Sequence, residues 1–127
     1  MTLRAVKTSG APAAIGPYSQ AIDTGGLVFL AGQVGLDPGT GELVEGLEAQ
    51  TERALRNLIA VLDAAGLGMA DVVKTTCLLA DIGDFAAFTE VYARFVGDPP
   101  PARATYAVAA LPRGALVEIE AVAVRRG

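Results

Sequence analysis

The amino-acid sequence predicts an α+β fold, a mixed β-sheet with two helices on one face. Three observations carry that expectation. Apolar residues recur at helical spacing in two stretches, 47–65 and 84–95. Runs rich in β-branched residues precede, separate and follow them, in the order ββ(β)αβαββ. Glycine and proline clusters mark the turns between them. At 127 residues, with no linker and no internal repeat, the chain reads as a single domain over residues 1–127.

Leu3 to Thr8 is the weakest strand, expected at a sheet edge, and a Gly/Ala/Pro loop leads from it to Tyr18. Two apolar runs, Ser19 to Asp23 and Leu27 to Val34, flank Thr24-Gly25-Gly26 in the pattern of a β-hairpin. Asp37-Pro38-Gly39-Thr40-Gly41 is turn chemistry throughout. In the first helix, Leu47 to Ala65, the residues Leu47, Thr51, Ala54, Leu58, Val61 and Ala65 repeat at three and four. Gly66 is its expected stop. Val72 to Ala80 reads as a buried strand. Asp84 is the expected N-cap of a helix through Phe95 that turns Phe85, Phe88, Val91, Tyr92 and Phe95 inward. Asp98-Pro99-Pro100-Pro101 ends it, and two last strands, Ala104 to Ala109 and Ala115 to Val124, flank Pro112-Arg113-Gly114.

Composition excludes several chemistries. The chain has no histidine, so Ser-His-Asp and Cys-His catalysis, His-ligated zinc and HExxH sites are ruled out. No metal site, phosphate loop or nicotinamide fingerprint is visible. Ten Lys+Arg against fourteen Asp+Glu give a net charge of −4, the opposite of a protein that tracks nucleic-acid phosphates. The single cysteine, Cys77, cannot form an intramolecular disulfide, which fits a reducing, cytoplasmic compartment. No signal-peptide stretch or membrane-spanning run is present. Apolar residues reach 52% and charged ones only 19%, an excess that points to surface buried against other copies.

The last strand carries the chemistry. With period two, Val117, Ile119, Ala121 and Ala123 face the helices, and Leu116, Glu118, Glu120, Val122 and Val124 face away. Two carboxylates thus stand about 7 Å apart among apolar neighbours. They are either surface acids on an exposed strand or acids covered by another subunit, where each needs a partner or a task. Arg103, just after three prolines, is a candidate partner whose planar fork matches a carboxylate; its alternative is a snorkelling surface arginine. Thr105 shares its side of the strand. Cys77 reads as a core thiol, and Lys74 as either a Schiff-base lysine or a strand-end cation. Ser9 and Ser19 lack a histidine to activate them, and Gly32 with Gly35 lacks the context of a phosphate loop.

Pro101-Ala102-Arg103-Ala104-Thr105-Tyr106, Leu111-Pro112 and Val117-Glu118-Ile119-Glu120 together resemble the C-terminal signature of the RidA/YjgF family, the reactive enamine/imine deaminases. The segment from Ala11 to Ala21, Ala31-Gly32-Gln33, Asp37 to Gly41, Ala64 to Leu67 and Val73 to Thr76 are similar to family segments as well. The resemblance implies a chorismate-mutase-like fold, a homotrimer with clefts between subunits, and no cofactor. It also implies hydrolysis of 2-aminoacrylate and related 2-imino acids, released by pyridoxal-phosphate enzymes, to 2-keto acids and ammonia. Carried over by position, the catalytic residues are Arg103, holding the substrate carboxylate, and Glu118, orienting water and moving protons. The substrate-binding set is Tyr18, Ala31, Gly32, Gln33 and Thr105. Ala31, Thr105 and Thr89 stand where the family often has Ser, Cys and Asn, which bears on substrate preference. The rival reading is a non-catalytic trimeric sensor of small keto or carboxylic acids in the same clefts.

Overall fold

The computed structural model describes residues 2–126; Met1 and Gly127, the ends of the expected domain, lie outside them. Its strands are β1 (Arg4–Val6), β2 (Ala21–Asp23), β3 (Leu27–Val34), β4 (Val72–Leu79), β5 (Ala102–Ala107) and β6 (Val117–Val124). They form one sheet in the order β1-β2-β3-β6-β4-β5. Every neighbouring pair is antiparallel except β4 and β5, which run parallel. That parallel pair requires a crossover, supplied by helix α2 (Phe85–Ala93). Helix α1 (Leu47–Ala64) lies over β3 and β6 and packs against α2, so both helices cover one face, as the patterning predicts.

The inward residues of β6, Val117, Ile119, Ala121 and Ala123, are all buried beneath Leu55, Leu58, Val61 and Leu62 of α1. Burying each of those larger side chains contributes about 1.5–3 kcal/mol. Two polar side chains on the same face set where α1 sits. Asn57 donates through Nδ2 to the carbonyls of Val34 and Leu36, at 3.2 and 3.0 Å. Gln50 accepts the Leu116 N–H at 2.8 Å. A side chain at Gly35 would stand 2.7 Å from the Gln50 Cα, so only glycine lets helix and strand approach this closely. The helix thereby grips the C-terminal end of β3 and the entry to β6.

Helix α1 stops where glycine allows. Gly66 takes φ 77°, and Leu67 donates back to the Leu62 carbonyl at 2.8 Å, closing a Schellman turn. The second helix departs from the sequence expectation. Asp84 makes no side-chain cap; Asp81 does, accepting the Gly83 N–H at 2.8 Å and opening a 3₁₀ turn at Ile82–Asp84. Phe85, at the first position of α2, is not inward but 40% exposed. β5 starts at Ala102, earlier than expected, with Ala102 opposite Lys74 of β4. No helix among the described residues is long and apolar enough to cross a membrane.

Candidate active site

A bulge in β3 prepares the first half of the site. Between Leu30 and Gln33 the register against β6 shifts, with three steps on β3 opposing two on β6. Gly32 sits in that bulge, directly under Glu118. A methyl group there would stand 2.7 Å from Glu118 Oε2, so the carboxylate lies against bare backbone. The neighbouring Ala31 N–H is held by the Gln20 carbonyl at 2.9 Å.

The N-terminal loop closes over this strand because of one buried amide. Gln20 accepts the Thr8 N–H at 2.7 Å and donates to the carbonyls of Thr8 and Pro12, at 3.1 and 2.8 Å. The fold of the loop brings Tyr18 to a cavity of about 330 Å³, which is also lined by Gly32, Gln33, Glu118, Pro112 and Arg113. Glu118 is half-buried and, among the described residues, has no hydrogen-bond or ionic partner. Burial, and then the charge of Glu120, hold its carboxyl above the ordinary carboxylate range.

The second half lies along β5. Arg103 and Thr105 pair with Thr75 and Cys77 of β4, whose side chains are buried on the helix side. The Arg103 guanidinium rests on three rings of α2, with Cζ 4.9 Å from the Tyr92 centroid, 5.3 Å from Phe85 and 5.7 Å from Phe88. Its Nη1 donates to Thr89 Oγ1 at 3.3 Å. The Tyr92 hydroxyl is tied to that of Thr75 at 2.7 Å, which steadies the shelf. Cys77 is buried, and burial pushes its thiol up, in keeping with an inert core thiol. Thr105 Oγ1 is buried beside that sulfur, a weak partner, and has no hydrogen bond of ordinary geometry.

These two halves do not meet within one chain. Glu118 pairs with Leu78, whereas Arg103 pairs with Thr75, three positions away, so the two side chains leave opposite faces of the sheet. Pairing of Arg103 with Glu118 inside one chain, an option left open by the sequence, is therefore excluded. The structure brings Tyr18, Gly32, Gln33 and Glu118 together, sets Ala31 beside them, and keeps Arg103 with Thr105. Sequence reasoning missed the aromatic shelf, the Thr89 contact, the bulge and the Gln20 clamp; only the Ala31-Gly32 pair inside an apolar strand hinted at the bulge.

Residues 8–125 match the family model described as Endoribonuclease L-PSP. The chain belongs to this family, the RidA/YjgF family. Among curated relatives, a protein of Myxococcus xanthus named Protein DfrA is 54% identical over 127 residues, covering 98% of this chain and 97% of its own. A mouse (Mus musculus) relative named 2-iminobutanoate/2-iminopropanoate deaminase is 51% identical over 123 residues, 96% of this chain and 91% of its own. A solved structure from Thermotoga maritima, described as a putative endoribonuclease, is 51% identical, covers 98% of both chains and superposes with a TM-score of 0.94. Within the family framework, the three departures now have surroundings. Thr89 tethers Arg103, Thr105 leaves a hydroxyl unsatisfied beside it, and Ala31 presents only its backbone to Gln20.

Proposed function

We propose that this chain is a deaminase of 2-imino acids, acting in a homotrimer of the chorismate-mutase-like fold. The observation that carries the reading is Glu118, a half-buried carboxylate without a partner, lying over Gly32 in a cavity. A relative of 51% identity is named for this activity, which supports the assignment.

Water adds to the imine carbon, giving a carbinolamine; its nitrogen takes a proton and leaves as ammonia, while the hydroxyl proton is lost and the keto group forms. One C=N bond is exchanged for C=O, with no change of oxidation state. Glu118, its affinity for a proton raised, orients the water and passes protons between oxygen and nitrogen. Arg103 of a neighbouring copy holds the substrate carboxylate with its fork, pre-oriented by the rings of Phe85, Phe88 and Tyr92. Tyr18, Gly32 and Gln33 line the pocket, and Thr105, two residues beyond Arg103 on β5, borders the site from the other side.

Two features of the chain support an assembly of copies. Arg103 and Glu118 leave opposite faces, so a complete constellation takes a second copy. The sheet face away from the helices exposes Leu27, Phe29 and Tyr106 beside Val122 and Val124, an apolar surface suited to being covered. The imines come from pyridoxal-phosphate enzymes, and a cytoplasmic setting suits both that supply and the single thiol. Ribonuclease action, although named in the family description, fits poorly with net charge −4 and no histidine.

The test couples a pyridoxal-phosphate serine dehydratase, serine and semicarbazide, which traps 2-aminoacrylate, to this protein. Wild type diverts the imine to pyruvate and ammonia, while Arg103→Ala loses about 100-fold or more in kcat/KM and remains assembled. Near wild-type rates in Arg103→Ala sink the assignment. A protein without turnover, whose Glu118→Gln variant keeps its keto-acid affinity, is a sensor instead.

A further inference from the structure

The eight arginines divide by what they touch. Arg4, Arg56, Arg94, Arg125 and Arg126 each reach a carboxylate. Arg53 donates to Asn57, and Arg103 lies on its aromatic shelf. Arg113 remains. Its Nη2 donates to the Gly41 carbonyl at 3.1 Å, the one hydrogen bond its side chain makes among the described residues. It lines the cavity that holds Glu118, yet the two do not form an ion pair.

Its backbone is unusual. Arg113 takes φ 63° and ψ 15°, the one non-glycine residue with positive φ among those described. An L-residue pays for that conformation, which persists only where its surroundings hold it. Pro112 before it and Gly114 after it, at φ 70°, shape the turn. The Gly41 carbonyl anchors the guanidinium to the Asp37–Gly41 turn, itself ordered by Asp37 Oδ1 accepting from Gly39 and Thr40. Arg113 thus lines the cavity with one guanidinium N–H tied to Gly41 and the others uncommitted among the described residues.

We infer that Arg113 is a specificity residue that binds a second, side-chain carboxylate, so that the site favours dicarboxylic 2-imino acids over those with apolar side chains. The inference rests on the deaminase reading. The α-carboxylate goes to Arg103 of the neighbouring copy, the imine carbon to the water beside Glu118, and the distal carboxylate to Arg113. A guanidinium matches a carboxylate with charge-assisted bonds that an apolar side chain cannot replace.

The test generates 2-iminoglutarate and 2-iminobutanoate with amino-acid oxidases and compares kcat/KM for each, with semicarbazide as trap. Arg113→Gly removes the side chain while suiting the left-handed backbone; Arg113→Lys and Arg113→Glu complete the series. The acidic-to-neutral ratio of kcat/KM is expected to fall about 10-fold or more in Arg113→Gly. It falls further in Arg113→Glu and is partly restored in Arg113→Lys. A ratio that does not move, with both imines turned over, overturns the role of Arg113 and leaves the deaminase reading intact. Calorimetry with 2-oxoglutarate and 2-oxobutanoate needs no turnover. Tighter, Arg113-dependent binding of 2-oxoglutarate by a protein inactive on both imines keeps the role of Arg113 and removes the deaminase reading. Binding of neither acid by a protein inactive on both imines overturns both.

Discussion

Asp23 on β2 and Glu118 on β6 flank β3, and both are carboxylates drawn out of water, but their surroundings send them in opposite directions. Asp23, its side chain 7% exposed, accepts from the Gly25 N–H at 2.8 Å, from Arg4 at 2.9 Å and from Arg125 at 2.7 Å. Those donors hold its carboxyl at about 2, against an ordinary 3.8. Arg125 also donates to the Ala65 carbonyl, so one acid ties the first strand, the hairpin and the end of α1 to the last residues of β6 and beyond. Glu118 receives nothing, and burial pushes it the other way. A carboxylate whose charge is matched holds the fold together. One left unmatched works against the fold and is available for proton transfer.

The largest expected effect separates the two by activity. Glu118→Gln is expected to lower kcat by roughly 10²–10⁴-fold, the range of a general acid–base group. Asp23→Asn should leave turnover per folded molecule near wild type, and equal losses in both variants would erase the contrast. Next comes Gly32→Ala. The new methyl meets the movable end of Glu118, not backbone, so the carboxylate shifts and the fold survives. A kcat loss of up to about 100-fold is expected with little change in melting temperature. A large drop in melting temperature would instead give Gly32 a structural role.

Acid titration sharpens the comparison further. The folded state binds the Asp23 proton less tightly than the unfolded chain does, so its stabilisation is complete above pH 3.8 and is lost as pH falls through about 2. Asp23→Asn should melt lower than wild type at neutral pH and lose this part of the acid dependence, read by circular dichroism melts between pH 2 and 7. The smallest effect has the opposite sign. Glu118 binds its proton more tightly when folded, so stability falls as pH rises past the ordinary value of 4.5. Glu118→Gln should therefore melt higher than wild type at pH 7 and alike at pH 4. A lower midpoint at pH 7 would mean that Glu118 has a cationic partner in the assembly and belongs with Asp23.

Much of this was legible in the residue order. The alternation of β6 correctly assigned Val117, Ile119, Ala121 and Ala123 to the buried face and Glu118 to the other. The hairpin around Gly25 and the stop at Gly66 also stand where turn chemistry placed them. Gln20, Gln50 and Asn57 were not legible as clamps, because their bonds reach 8 to 66 residues along the chain. Phe85, expected inward, stands 40% exposed at the first position of α2, where Asp84 holds the N-cap position without a side-chain bond.

The sequence by itself determined the elements, the parity of β6 and the family signature, since periods of 2 and 3.6 are properties of neighbouring residues. Only the tertiary structure decided that Arg103 and Glu118 leave opposite faces. That outcome depends on register across β5, β4 and β6, where a slip of one residue would have reversed it. Register is set by packing between distant segments, and no local pattern contains it.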